Sequence, residues 1–94
     1  MPTPAVFVFI QEGCGACHDY MPKFERVAAE FPKDQPPVGR YDLASPDPRV
    51  QHFAEKLGIK ATPTTVVMTS QGTFQRHVGS LPVAQIRALM AAAK

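Results

Sequence analysis

Gly13-Cys14-Gly15-Ala16-Cys17-His18 holds both cysteines of the chain, at the point where an apolar run gives way to a helical pattern. A Cys-x-x-Cys pair admits four chemistries: a redox dithiol, half of a zinc site, a structural disulfide or, with His18 directly following, a c-type haem attachment. Its flanks narrow the choice. Upstream, Ala5-Val6-Phe7-Val8-Phe9-Ile10 is apolar without alternation and rich in Val and Phe, the pattern of a strand covered on both faces of a parallel or mixed sheet. Downstream, apolar positions fall at Cys17, Tyr20, Phe24, Val27, Ala28 and Phe31, the spacing of a helix with one buried face, which Pro32 stops. Pro22 inside that helix removes the hydrogen bond to the His18 carbonyl, so a kink is expected there, not a break.

Beyond a polar loop at Lys33 to Pro37, Val38 to Ala44 reads as a second strand with Tyr41 and Leu43 on one face. Asp47 and Pro48 are an N-cap and first helical residue; Val50, Phe53, Ala54 and Leu57 supply the apolar stripe, and Gly58 suits the exit. Pro63 precedes the β-branched strand Thr64 to Met68, and Ser70-Gln71-Gly72 turns it into a second strand, Thr73 to Val78. There Arg76 interrupts the alternation of Phe74 and Val78, as on an edge strand. Pro82 opens a terminal helix lined by Ile86, Leu89, Met90 and Ala93. The order is βαβαββα, with parallel pairing through the helical crossovers, an antiparallel hairpin at the end, and helices over both sheet faces.

With 94 residues the chain suffices for one domain, 1–94, and its 45% apolar and 19% charged content is that of a folded globular protein. The net charge of +2 is small and its basic residues are scattered, so neither nucleic acid nor a membrane surface is indicated as partner. The apolar run at 5–10 is too short for a membrane span and lacks the flanks of a signal peptide, so a cytoplasmic, reducing location is expected. In such a compartment a lone cysteine pair is more often catalytic or metal-binding than a permanent crosslink. A disulfide closing so short a loop also constrains the unfolded chain little. Zinc needs further ligands, and His52 and His77, both read as surface residues, have no paired spacing. The haem reading lacks an export signal.

A strand, a Cys-x-x-Cys opening a helix that contains a proline, and a Thr-Pro before a β-hairpin together resemble the thioredoxin family, over essentially the whole chain from Ala5. Cys14-Gly15-Ala16-Cys17 is similar to the family's Cys-Gly-Pro-Cys, and Pro22 to its helix-kinking proline. Ala61-Thr62-Pro63-Thr64 is similar to the loop whose proline is cis and faces the dithiol, and Val78-Gly79-Ser80 to the glycine loop that completes the substrate groove. The resemblance implies a compact thioredoxin-like fold, α/β, with a four-stranded mixed sheet and without the family's opening strand and helix. Two further departures bear on rate, potential and partner. Gly13 stands where the family has Trp, and Val8 stands where it buries an Asp.

What the resemblance implies chemically is a thiol-disulfide oxidoreductase of protein disulfides, monomeric, acting in electron transport and cell redox homeostasis. Cys14, just before the helix, is the expected nucleophile, its thiolate favoured by unpaired backbone N–H groups and the helix dipole; Cys17, one turn in, is the expected resolving thiol. Gly13, Gly15, Ala16, Thr62, Pro63 and Gly79 are the expected substrate-binding positions. With Val8 unable to carry a proton, its movement at Cys17 falls to water, His18 or Glu12; solvated readings of His18, Glu12 and Arg40 stand beside this one. No bound cofactor or metal is expected, and the reductant is external, a thioredoxin reductase or glutathione. The alternatives are a glutaredoxin-type, glutathione-dependent enzyme and a binding or adaptor module with an idle dithiol. Met21, Met68 and Met90 read as packing.

Overall fold

The computed structural model describes residues 4–33 and 35–93. Strand β1 (Ala5–Ile10) is followed by α1 (Gly15–Ala28), β2 (Val38–Asp42), α2 (Pro48–Leu57), the hairpin β3 (Thr64–Met68) and β4 (Phe74–Val78), and α3 (Val83–Ala92). The fold is mixed α/β, with strand order β2-β1-β3-β4 and helices on both faces of the sheet. β1 pairs parallel to β2, as a helical crossover allows. The second crossover corrects the expectation of further parallel pairing, because β3 runs antiparallel to β1 with Phe9 opposite Thr64. Only a short link joins α2 to β3, so the chain re-enters the sheet at the end where β1 leaves it. That register sets Pro63 beside the segment that carries the cysteines.

Period-two alternation along β1 divides the core. Val6 and Val8 join Tyr20, Phe24 and Val27 of α1, Val67, and Ile86 and Met90 of α3 in one buried cluster. On the other face Phe9 and Val66 pack with Ala54 and Leu57 of α2. Half-buried Phe7, Tyr41 and Phe53 extend that cluster, Phe7 and Phe53 edge to face at 5.3 Å. α1 runs unbroken across Pro22 but stops at Ala28, three residues short of Phe31, through turn bonds from the Glu30 and Phe31 N–H groups to the Val27 and Ala28 carbonyls. Phe31 still packs against the core. Asp47 caps α2, accepting from the Arg49 N–H at 2.9 Å; at α3, Pro82 is the N-cap and not the first helical residue.

β4 is an edge strand, and its apolar residues do not reach the core: Phe74 is 41% and Val78 66% exposed. Arg76, between them, donates from Nη1 to the Gly58 carbonyl at 2.8 Å and so satisfies the C-terminal end of α2. His77, expected at the surface, is half-buried and turned inward opposite Thr65, and its Nε2 is buried with no partner among the described residues.

Candidate active site

The cysteines sit where β1 hands the chain to α1. Cys14 is the N-cap of α1, with extended backbone, and its Sγ accepts the Cys17 N–H at 3.1 Å. Its carbonyl accepts from the His18 N–H at 3.1 Å, the first turn of the helix. The two sulfurs are joined as a disulfide, with Cα atoms 5.2 Å apart. Burial separates them: Cys14 is half-exposed, whereas Cys17 retains 4% of its surface, against the buried side of α1.

On one side of the disulfide the walls are backbone. Cys14 Sγ lies 3.6 Å from the Thr62 carbonyl oxygen, the Thr62–Pro63 peptide is cis, and the Gly79 N–H donates to the Pro63 carbonyl at 2.8 Å. Gly79 has φ +98°, a conformation that side chains disfavour, and no atom of the described residues lies within 4 Å of where its Cβ would be. Lys23 of α1 reaches across to the Ser80 hydroxyl at 3.2 Å, tying the redox helix to this loop. Gly15 and Ala16, in the first turn of α1, are exposed.

The other side is an open cleft of about 530 Å³ that both cysteines also line. Ile10, Met21 and Pro22 give it apolar walls; Glu12, Glu25, Asp42 and His18 bring ionisable groups. Gly13, at φ +84°, has nothing among the described residues within 4 Å of its Cβ position, so the place where the family carries Trp is open to the cleft. Glu25 is held by Arg40 in a two-bond ion pair, so Arg40 is engaged rather than simply solvated, and that pairing raises the guanidinium further above its ordinary value. Asp42 Oδ1 accepts from the Ala44 N–H at 2.8 Å. Thus Thr62, Pro63 and Gly79 meet Cys14 on one side, while Glu12, Gly13 and His18 share the cleft on the other. Among the described residues, no group of three or more His, Cys, Asp and Glu is placed to hold a metal ion.

In the strand that leads to the cysteines, Val8 is fully buried and faces Thr65 across the β1/β3 pair. Thr65 is itself fully buried and its hydroxyl bonds that of Tyr20 at 2.7 Å. Burial pushes the Tyr20 phenol up from its ordinary value, partly offset by this bond. The pair escapes sequence reasoning, because a Tyr on the apolar face of a helix and a Thr in a strand each read as packing until tertiary structure joins them.

A family description, thioredoxin-like domain, matches residues 2–94, nearly the full length. The chain belongs to the thioredoxin-like family. Solved structures agree in fold. The thioredoxin pre-protein of Schistosoma mansoni is 19% identical, with 98% of this chain and 80% of that one covered and a TM-score of 0.75. Fasciola hepatica thioredoxin is 24% identical over 98% and 82% of the two chains, with a TM-score of 0.77. A chloroplastic thioredoxin z is 28% identical over 95% and 76%, at 0.72. A thioredoxin-like fold with a cysteine pair at its helix N-terminus supports thiol-disulfide chemistry in general terms.

Proposed function

We propose that the chain is a thiol-disulfide oxidoreductase that reduces or exchanges protein disulfides, with Cys14 as nucleophile and Cys17 as resolving thiol. The observation that supports the assignment best is the asymmetry of the pair: a half-exposed Cys14 whose sulfur receives a backbone N–H, beside a Cys17 that is almost fully buried. In the reduced protein the Cys14 thiolate attacks one sulfur of a substrate disulfide, that S–S bond breaks, and the departing thiolate takes a proton from solvent. Cys17, once deprotonated, attacks Cys14 Sγ, releasing the second substrate thiol and leaving the Cys14–Cys17 disulfide. Two electrons pass to the substrate; an external thiol or dithiol reductant, in a reducing compartment, restores the protein. Thr62, Pro63 and Gly79 offer the backbone against which an extended substrate segment lies.

Alkylation of the reduced protein at neutral pH tests the roles. Cys14 should label much faster than Cys17, and Cys17→Ser should accumulate a mixed disulfide through Cys14. Equal labelling, or trapping only through Cys17, reverses the assignment; binding of disulfide substrates that survives loss of both cysteines, without turnover, identifies an adaptor instead.

A further inference from the structure

The cleft on the Glu12 side of the disulfide differs in character from the rest of the surface. The chain carries a net charge of +2, yet among the described residues no lysine or arginine lines this cleft, and three carboxylates do. Glu25 is neutralised by Arg40 and Asp42 uses one oxygen on a backbone N–H. Glu12 makes no hydrogen bond among the described residues and is exposed, and the second oxygen of Asp42 has no such bond either. The same cleft is lined by both cysteines and by the apolar side chains of Ile10, Met21 and Pro22, with His18 beside them, and among the described residues nothing lies within 4 Å of the Cβ position of Gly13 at its edge.

We propose that this cleft is a specificity subsite that receives, from the substrate, a side chain adjacent to the attacked half-cystine with a long apolar stem and a cationic tip, a lysine or an arginine. The stem covers Ile10, Met21 and Pro22 and the charge ends among Glu12 and Asp42, the division of labour that such side chains make wherever apolar surface borders water. The backbone-walled side, with Thr62, Pro63 and Gly79, contributes hydrogen-bonding groups common to any peptide, so discrimination between substrates falls to the cleft. The same carboxylates repel an acidic residue at that position, and they repel the carboxylates of glutathione. This inference rests on the oxidoreductase reading above, with the reduced protein itself supplying the two electrons.

The experiment is a single turnover. The reduced protein is mixed with peptides whose one cysteine is in disulfide linkage with 2-nitro-5-thiobenzoate, differing only in whether Lys, norleucine, Gly or Glu adjoins the cysteine. Attack on the peptide sulfur releases the coloured thiolate, and its appearance is followed with time. The expected order is Lys, norleucine, Glu, with the Lys and Glu peptides separated roughly three- to tenfold at low ionic strength. That separation should shrink at about 1 M salt and largely vanish in the Glu12→Gln, Asp42→Asn double variant, while norleucine keeps its advantage over Gly at the same position. Equal rates for Lys and Glu peptides, or a separation that survives the double variant, overturn the subsite while leaving the oxidoreductase reading in place. No release from any peptide removes that reading and the subsite with it. The salt series on the parent protein needs no variant to fold.

Discussion

On the α1/α3 face of the sheet Val6, Val8, Tyr20, Phe24 and Val27 are fully buried, whereas on the α2 face Phe7, Tyr41 and Phe53 keep part of their rings in water. The difference follows from coverage. Two helices lie over the first face and contact each other; one 10-residue helix lies over the second. The redox helix α1 belongs to the sealed face. Tyr20 lies one helical turn from Cys17 on the buried side of α1, whereas the α2 cluster contains neither cysteine. Substitutions on the two faces should therefore differ in what they disturb.

The largest effect is expected from cavities. Phe24→Ala should cost about 3–5 kcal/mol, since the ring is fully buried in a cluster drawn from β1, α1, β3 and α3. Phe53→Ala, whose ring is already partly hydrated, should cost roughly 1–2 kcal/mol. Denaturant titration of both variants settles the point, and equal losses would break the distinction between a sealed and a shallow face.

A buried charge ranks next. Val8→Asp places a carboxyl among apolar side chains, at a cost on the order of 1–3 kcal/mol, unless the Thr65 hydroxyl opposite is recruited to it. Desolvation raises the pKa of such an acid above its unfolded value, so the folded state holds the proton more tightly. The deficit relative to the parent is then smallest below the unfolded value, near pH 4, and grows as pH rises towards the folded one. Stability measured against pH should show this trend, and the pH profile of disulfide exchange should gain an ionisation that the parent lacks. A deficit independent of pH would mean that the new carboxyl escapes to water and the face is less sealed than its packing indicates.

The chain's pattern made much of this legible. β1, α1 and the caps of α2 follow from apolar runs, helical spacing, Asp47-Pro48 and Gly58, because local sequence alone sets those features. Strand direction was not legible, since the β-branched run Thr64 to Met68 reads the same whichever way it pairs. Arg76 between Phe74 and Val78 marks β4 as an edge strand, and there the two apolar side chains face solvent; that Arg76 serves the end of α2 is not readable from the strand's own pattern. The cysteines and the Thr62-Pro63 loop were legible as motifs. The cleft was not, being assembled from β1, the turn after it, α1 and the end of β2. Nor was the Tyr20–Thr65 bond, which joins residues 45 positions apart.

That hydroxyl pair supplies the next effect. Tyr20→Phe leaves the Thr65 hydroxyl unpaired and should cost about 1–2 kcal/mol; Thr65→Val should cost a similar amount, and the double variant less than the sum. Because burial raises the folded-state pKa of Tyr20, its contribution is present below the unfolded value near pH 10 and is lost as pH rises through the folded one. Tyr20→Phe should therefore flatten the alkaline limb of the stability curve. Strict additivity of the two substitutions would show that the hydroxyls do not act as a pair.

The smallest effect tests the independence of the α2 face. Arg76 donates to the Gly58 and Leu57 carbonyls, placing a cation and its hydrogen bonds at the negative end of the α2 dipole. Arg76→Met keeps most of the stem and removes the charge, so the loss should be about 0.3–1 kcal/mol, and smaller in high salt where the charge is already screened. The decisive measurement is not the stability but the alkylation rate of Cys14 in the same variant. Arg76 projects from the sheet face opposite the one α1 covers, because it pairs with Val66 of the α2 cluster. Loosening the end of α2 should therefore leave the thiol's reactivity unchanged within error, whereas Tyr20→Phe, one helical turn from Cys17, should alter it. If Arg76→Met shifted the Cys14 rate as much as Tyr20→Phe does, the link from Gly58 to Pro63 would be transmitting motion of α2 to the loop beside the sulfurs, and the two faces would have to be treated as one mechanical unit.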